Sequence, residues 1–250
     1  MRTYKVGALA RALSIFRVEE VVLYADAQGY EENARFLADV LEYAETPQYL
    51  RRALIPLKRT LRFVGVLPPL RTPHHPSRPG EEGFEAEYRE GVVVEAYGGV
   101  LSVDVGLSEL VKVLGRARVG ERVTVRLSPP RLVSSKSVPY YWGYRVSFAK
   151  SLADAVKRHS GAYKVATSRL GVDVRQVLGA ISERASRAKR VVVAFGARDR
   201  GLAEIAREQG YELDDLFDVV VNFIPHQGTY TVRTEEAVLA TLAILNLAVS

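Results

Sequence analysis

The organising stretch of this sequence is Asn222-Phe-Ile-Pro-His-Gln-Gly-Thr-Tyr-Thr-Val-Arg-Thr-Glu-Glu-Ala-Val-Leu-Ala-Thr-Leu-Ala-Ile-Leu-Asn246. The valines at 219–221 are typical of a short buried strand, and Pro225 with Gly228 predicts an irregular turn, because proline fixes φ and glycine accepts positive φ. Thr234 is expected to cap the apolar helix that follows. A strand, a glycine-containing loop and a helix N-terminus together predict a ligand site. An ordinary strand-to-helix connection has the same local pattern and stays open as the alternative.

A second loop of this kind lies upstream. Residues 190–195 predict a short hydrophobic strand, residues 196–201 a polar turn, and residues 202–209 a helix that ends at Gly210. Both loops therefore follow strands of an alternating α/β pattern. Open α/β sheets place their ligands at this edge.

Composition limits the classes of protein to consider. The chain has 250 residues and is 48% hydrophobic, so it can bury a substantial core. It contains no cysteine, which excludes disulfides, catalysis by a thiol and metal sites with cysteine ligands. No apolar run has membrane-spanning length, and the N-terminus lacks a signal-peptide pattern, so a cytoplasmic enzyme is expected. The phosphate-binding, zinc-protease and serine-hydrolase motifs are absent from the sequence.

The predicted elements divide the chain into an α/β domain with an insertion. A helix, a short strand ending at Tyr24 and a second amphipathic helix open the chain, and the same alternation resumes only near Ser151. We therefore predict an α/β fold with a first part at residues 1–75, an inserted domain at residues 76–150 and a second part at residues 151–250 that carries both loops.

The predicted insertion consists of strands and turns. Its five β segments span residues 88–97, 100–105, 109–114, 122–127 and 140–148. Five short strands of this size are typical of an OB-like barrel. The last segment interleaves Tyr141 and Trp142 with Arg145, which suits stacking on bases and tracking of a single-stranded nucleic acid backbone. Strand alternation would instead turn about half of its aromatic residues into the barrel core.

The formal charge of +6 is unevenly distributed. Residues 47–80 contain seven lysines and arginines and no acid, and Glu121 is the only acid in residues 110–150. Two such blocks predict a positive surface suited to a polyanion, although solvated surface charge would give the same pattern. The pair His74-His75 has no carboxylate or cysteine at ligand spacing nearby, so we predict no metal site there. We predict that both residues contact RNA, and ordinary proline-flanked loop residues stay open as the alternative.

These residues point to a known family. The chain resembles the SPOUT class of S-adenosylmethionine-dependent RNA methyltransferases in the run from Asn222 to Leu245, with Pro225, Gln227-Gly228, Thr231 and Arg233-Thr-Glu-Glu-Ala237. Phe195-Gly196 is similar to the preceding cofactor loop of that class, although Ala197-Arg198 departs from its glycine- and proline-rich form. In the N-terminal half, residues 47–53 and 61–76 resemble the subgroup with an inserted OB-like barrel, which includes rRNA uridine-N3 methyltransferases.

The resemblance implies a SPOUT-type knotted parallel-sheet methyltransferase domain with an inserted β-barrel (OB-like) domain. The expected reaction is methyl transfer from S-adenosylmethionine to a base in RNA, with uridine N3 of ribosomal RNA as the target. The implied cofactor-binding residues are Thr167, Phe195, Gly196, Asn222, Ile224, Pro225, Gln227, Gly228, Thr231 and Thr234. The predicted RNA-binding residues are Arg71, His74, His75, Arg126, Tyr141, Trp142 and Arg145. We predict Arg11 and Arg233 as catalytic cations near the target nucleotide.

Members of the class usually work as dimers, so a homodimer is expected, with the apolar helix from Glu235 to Val249 as its interface. No membrane partner is expected. One alternative is a non-catalytic RNA-binding or ribosome-assembly protein that retains the fold, and the departure at Ala197-Arg198 leaves it open. A small-molecule enzyme with another nucleotide cofactor is a further alternative, against which the basic, aromatic insertion argues.

Overall fold

The computed structural model describes residues 1–27, 29–76 and 86–249, which form two compact units. The first unit is Met1–Glu19 with Asp39–Arg145, and the second is Glu20–Ala38 with Val146–Ser250. Residues 77–85, at the start of the predicted insertion, lie outside the described residues. None of the described helices is long and apolar enough to cross a membrane.

The helices are α1 (Arg2–Ile15), α2 (Glu31–Glu45), α3 (Arg51–Leu54), α4 (Leu152–Lys157), α5 (Val174–Arg187), α6 (Leu202–Glu208), α7 (Leu213–Leu216) and α8 (Thr234–Ala248). Short 3₁₀ turns lie at Gln48–Leu50, Arg59–Leu61, Val64–Val66 and Ser135–Ser137. The strands are β1 (Glu20–Tyr24), β2 (Tyr88–Tyr97), β3 (Val100–Asp104), β4 (Val111–Leu114), β5 (Arg122–Leu127), β6 (Pro130–Val133), β7 (Arg145–Ala149), β8 (Tyr163–Asp173), β9 (Val191–Ala194) and β10 (Val219–Asn222).

A three-stranded parallel sheet with the order β10-β8-β9 forms the centre of the second unit. Its central strand carries an excursion, because Val220 pairs with Ala166 whereas the next residue, Val221, pairs with Val172. Residues 167–171 therefore leave the regular ladder on the side of β10. A Cβ at Gly171 would lie 2.7 Å from the Val220 carbonyl oxygen, so glycine permits the chain to return so close to β10.

Two apolar clusters are buried in the second unit. One contains Leu152, Ile205 and Phe217, and the other contains Ile181, Val221, Phe223 and Leu245. The second cluster holds α5 and α8 in the same core as the parallel sheet. It thereby fixes where the loop from β10 to α8 begins and ends.

The first unit contains a five-stranded antiparallel sheet with the order β4-β3-β2-β5-β6. Its edge strands β4 and β6 lie against each other, so the sheet is close to a barrel. At Gly115, just after β4, a Cβ would lie 2.5 Å from Leu132 Cδ1 in β6, so glycine makes this approach possible. The interior is filled by valine and leucine side chains such as Val93, Leu101 and Val125.

The structure corrects the fifth strand predicted for the insertion. Residues 140–144 are not a strand, and β7 pairs with β1 instead of joining the antiparallel sheet. The fifth strand of that sheet is β6, where no strand was predicted. Pro130 is tolerated because it is the first residue of an edge strand, where a missing N–H does not break the sheet. Tyr141 and Trp142 therefore lie in the loop before β7.

Candidate active site

The carboxyl ends of the three parallel strands form the candidate site of the second unit. Because β8, β9 and β10 are parallel, Thr167, Phe195 and Asn222 come at the same edge of the sheet. The Thr167 hydroxyl donates to the Ala194 carbonyl at 2.8 Å, and the Tyr24 hydroxyl donates to the Phe195 carbonyl at 2.6 Å. Two side-chain hydroxyl groups thus fix the point where β9 enters its loop.

The loop from β10 to α8 is tied to the excursion of β8. Asn222 Nδ2 donates to the Arg169 carbonyl at 3.0 Å, and Asn222 Oδ1 accepts from the Ile224 amide at 3.0 Å. Arg169 Nη1 donates in turn to the Tyr230 carbonyl at 2.9 Å. Gln227 Nε2 donates to the Thr229 carbonyl at 2.8 Å. The predicted residues Asn222 and Gln227 therefore use these side-chain groups to shape the loop.

The sharp turn in this loop is not where the sequence suggested. His226, with φ of 59°, takes the left-handed conformation that we had associated with Gly228. This conformation costs energy for a residue with a side chain, so the surrounding contacts hold it. His226 Nε2 lies 3.4 Å from Arg175 Nη2, and Arg175 is paired with Asp173 at 2.5 Å.

Gly228 serves the loop in another way. It is exposed, and a Cβ built there would meet no atom within 4 Å, so the fold itself does not demand glycine. Within the described residues, the amides from Gln227 to Thr231 make no hydrogen bond to protein. A run of free backbone donors beside a glycine suits a ligand with nitrogen and oxygen acceptors. The half-buried Ile224 and Pro225 add apolar surface to this loop.

The start of α8 differs by one residue from the prediction. Thr234 is the first helical residue and not the cap, and Arg233 occupies the N-cap position. The Glu236 carboxylate accepts from the Arg233 amide at 3.0 Å, so the helix end is satisfied from the N3 position without a threonine cap. The Arg233 side chain is exposed directly after the loop. Thr231, within the loop, is also exposed.

The loop after β9 is compact around Gly196. A Cβ on Gly196 would lie 2.9 Å from the Arg200 carbonyl oxygen, so only glycine fits without a shift. Arg200 is paired with Glu208 at 2.5 Å. Where the chain departs from the expected pattern, Ala197 packs on the apolar core and Arg198 is exposed, 3.4 Å from Asp199. The departure therefore leaves the tight turn at Gly196 in place.

The other predicted catalytic residue, Arg11, belongs to the first unit. Its Nη1 donates to the carbonyl of Leu70 at 2.5 Å and to that of Pro69 at 3.3 Å. Arg11 therefore anchors the proline-rich segment at residues 68–76, which follows the 3₁₀ turn at Val64–Val66. Its catalytic role stays a prediction.

His74, predicted to contact RNA, is fully buried in the first unit. Its Nε2 lies 3.1 Å from Glu45 Oε1, and His75 Nε2 donates to the Glu45 carbonyl at 2.6 Å. A side chain without exposed surface cannot reach RNA in this conformation, so we revise its role to positioning Glu45. Local sequence could not show this, because Glu45 is 29 residues away.

Glu45 is the centre of a buried ionic network. Its carboxylate accepts from Arg122 Nη1 at 2.7 Å and Nη2 at 3.1 Å, and Arg122 Nε donates to Glu90 at 2.6 Å. Although burial raises the pKa of Glu45, the hydrogen bonds from His74 and Arg122 lower it to about 2. Burial lowers the pKa of Arg122, but its two carboxylate partners outweigh that effect and raise it. The paired charges stay ionised inside the fold.

The remaining predicted RNA contacts divide into structural and exposed groups. The Tyr141 hydroxyl donates to the Val18 carbonyl at 2.9 Å, and Trp142 Nε1 donates to the Glu90 carboxylate. Arg126 is half-buried and pairs with Glu87 at 2.6 Å. Arg71 and Arg145 are exposed. Arg71 and Arg145 therefore offer exposed positive charge to a polyanion, whereas Tyr141 and Trp142 also make hydrogen bonds within the fold.

The pH dependence of stability should report on His75. Burial, with His74 alongside, lowers the pKa of the His75 imidazole from 6.5 to about 3. Between these values the unfolded chain binds a proton that the folded chain excludes, so stability falls as pH drops below 6.5. In His75→Gln, the amide can keep the bond to the Glu45 carbonyl but cannot titrate. We expect the free energy of unfolding of this variant to fall less steeply than that of the unsubstituted protein, by up to about 1.4 kcal/mol per pH unit, between about pH 6.5 and 5. Equal slopes for both proteins would contradict this assignment.

Sequence reasoning missed Tyr24, Arg169 and His226. Tyr24 carried one signal, its position at the end of the first predicted strand. Burial raises the pKa of its hydroxyl, which therefore remains a donor to the loop after β9. Arg169 and His226 gave no local signal, because their importance comes from the excursion of β8 and from a left-handed turn.

Comparisons with known proteins find RNA methyltransferases similar to this chain. A family model described as "Putative RNA methyltransferase" matches residues 1–245. The chain is 33% identical to the 28S rRNA (uridine-N(3))-methyltransferase of Drosophila melanogaster, over 98% of this chain and 58% of that protein. It is 35% identical to the protein of that name from Mus musculus, over 98% of this chain and 71% of that protein. An uncharacterised protein of Haloarcula marismortui is 36% identical, over 98% of this chain and 92% of its own length.

Proposed function

This chain belongs to the "putative RNA methyltransferase" family, and we propose that it transfers a methyl group from S-adenosylmethionine to N3 of a uridine in ribosomal RNA. The observation that carries the proposal is similarity over 98% of the chain to proteins named for that reaction. The chain spans 58% of the length of the fly relative, so the reaction and target named for that whole protein are a proposal for this chain.

The loops at the carboxyl edge of the parallel sheet support S-adenosylmethionine as the cofactor. Gln227 to Thr231 offer backbone donors for its polar groups, and Gly228 leaves room for close approach. Thr167 and Tyr24 hold the loop at Phe195-Gly196, which follows the neighbouring part of the same parallel sheet. We assign this unit to the SPOUT type with a C-terminal trefoil knot, and the near-closed antiparallel sheet to an OB-like RNA-binding domain.

S-adenosylmethionine supplies an electrophilic methyl group on a sulfonium sulfur. For N3 of uridine to accept it, the N3–H proton must leave and a negative charge develops on the base. A cation beside the base stabilises that charge. Arg233 is exposed at the N-cap of α8, where the helix dipole adds positive potential. We assign Arg233 this role, and Arg11 a supporting one through the proline-rich segment.

We also propose a homodimer and a cytoplasmic location. Along α8, Val238 and Leu245 are buried, whereas Leu239 is 48% and Leu247 79% exposed. An exposed apolar side of this helix favours burial against a second copy. Sedimentation that shows a monomer at micromolar concentration would contradict the dimer.

The test of the reaction is methyl transfer from labelled S-adenosylmethionine to unmodified ribosomal RNA transcripts, followed by digestion and mass spectrometry of the nucleosides. We expect 3-methyluridine to form. RNA binding without any methyl transfer would favour a non-catalytic RNA-binding protein. A different methylated nucleoside would support methyltransferase activity but show that the target is not N3 of uridine.

The cofactor site gives a separate prediction. Gly228→Val adds bulk where the fold has open space, so the protein should fold normally while S-adenosylmethionine is blocked. We expect calorimetry to show at least about tenfold weaker cofactor binding, which corresponds to about 1.4 kcal/mol. Gly179→Ala is the matched control, since Gly179 lies in α5 with open space around it and alanine favours a helix. Equal affinities for Gly228→Val and the unsubstituted protein would remove the loop from the cofactor site.

A further inference from the structure

A short basic segment of the first unit exposes unusual apolar surface. Phe63 is 61% exposed, Val66 57% and Leu57 fully exposed, and Arg59 and Arg62 are exposed beside them in sequence. We call these five residues the Phe63 surface. Single exposed apolar residues need no explanation, but three within ten positions, among cations, indicate an interaction surface.

Consecutive tight turns order these side chains. The Arg62 amide donates to the Arg59 carbonyl at 3.2 Å, and the Val66 amide donates to the Phe63 carbonyl at 3.3 Å. In a 3₁₀ turn, residues three apart lie one above the other. The two arginines therefore share one side of their turn, and Phe63 shares a side with Val66.

The segment is fixed to its own unit at both ends. Lys58 Nζ lies 2.5 Å from Asp39 Oδ1, and the Thr60 hydroxyl donates to Asp39 Oδ2 at 2.6 Å. At the other end, a Cβ on Gly7 of α1 would lie 2.9 Å from Leu67 Cδ2, so glycine allows helix and segment to pack closely. The exposed side chains therefore stand on a rigid base, which lowers the entropy cost of binding.

The positive charge around the Phe63 surface indicates what kind of partner it binds. Residues 47–80 contain no acid, and the Arg62 guanidinium lies 5.2 Å from the centroid of the Phe63 ring. An exposed aromatic ring can stack on an unpaired base, while neighbouring arginines bind phosphates. An acidic, apolar protein segment would use the charge but has no particular need of an aromatic ring.

We propose that the Phe63 surface binds a single-stranded segment of the RNA substrate, with Phe63 stacking on a base and Arg59 and Arg62 contacting phosphates. The proposal rests on the proposed function, because it takes the RNA substrate as the occupant. It adds a binding surface in the first unit to the cofactor loops proposed in the second.

The test measures binding of a fluorescently labelled oligouridine to the full chain by anisotropy, over a range of salt concentrations. Phe63→Leu keeps an apolar side chain but loses the stacking ring, so we expect about tenfold weaker binding. Phe63→Trp should restore it. Phe148→Leu is the matched control, because Phe148 is 47% exposed on β7 in the second unit. The double variant Arg59→Gln/Arg62→Gln should lower the slope of log affinity against log salt by about 1.4.

Unchanged affinity in Phe63→Leu would overturn the proposal, and so would equal losses in Phe63→Leu and Phe148→Leu. A loss confined to the arginine variant would also overturn it and favour a protein partner or diffuse charge. Assaying methyl transfer on the same preparations separates this outcome from the proposed function. RNA binding that depends on Phe63 without methyl transfer would reject the reaction alone, whereas methyl transfer with Phe63-independent binding would reject this surface alone.

Discussion

Glu45→Gln is expected to lower the free energy of unfolding by about 3 to 5 kcal/mol at neutral pH, as measured by urea denaturation. The carboxylate is buried and accepts two hydrogen bonds from Arg122 and one from His74. A neutral amide removes the countercharge and points N–H donors at the Arg122 donors. Among the residues that the structure describes, Arg122 then keeps Glu90 as its one close partner.

The acid limb of the stability curve gives an independent readout of this network. The pKa of Glu45 is about 2 in the folded protein, against 4.5 ordinarily, so its contribution is complete above 4.5 and is lost as pH falls toward 2. Glu45→Gln should lack that loss. Glu183→Gln is the matched control, because Glu183 and Arg187 form an exposed pair on α5, which adds little to stability. Similar stabilities for the two variants would show that the buried network is energetically neutral.

Arg233→Gln is expected to lower kcat for methyl transfer by about a hundredfold or more, with S-adenosylmethionine and RNA both saturating. The guanidinium is exposed directly after the loop that begins at Pro225, at the N-cap of α8. Glutamine keeps the backbone bond between the Arg233 amide and Glu236 but cannot stabilise a negative base. Single-turnover kinetics separate this effect from product release.

Two comparisons make the result specific. Arg187→Gln removes an exposed arginine from α5 and should leave kcat unchanged. The cofactor affinity of Arg233→Gln should also stay unchanged, since the proposed role concerns the base. If kcat is unaffected in Arg233→Gln, the catalytic cation lies elsewhere. Arg11 is a less clean test, because its bond to the Leu70 carbonyl also holds the proline-rich segment.

Much of the local structure can be predicted from the sequence. The predicted segments at residues 88–97 and 122–127 coincide with β2 and β5, because segments rich in valine and bounded by glycine or proline turns favour strands. The helix after Arg233 also begins within one residue of the prediction. Both loops follow strands of a parallel sheet, as their flanking patterns indicated.

Long-range partners were beyond the reach of such patterns. Arg145 to Ala149 have strand character wherever they pair, and only tertiary packing assigns them to β1. His74 has the local environment of a loop residue, yet it is buried against a glutamate 29 residues away. The left-handed turn at His226 lies against Arg175 of α5, and the excursion of β8 lies against β10, so both involve residues that are distant in the sequence.

The sequence thus established most of the element types, the α/β class and the two loops of the candidate site, since these follow from spacing along the chain. Tertiary structure alone established which exposed residues can meet a ligand and which are held inside, as for Arg71 and His74. The physical reason is that burial and hydrogen bonding depend on the partners that folding brings together. The residues adjacent in the sequence do not indicate which partners these are.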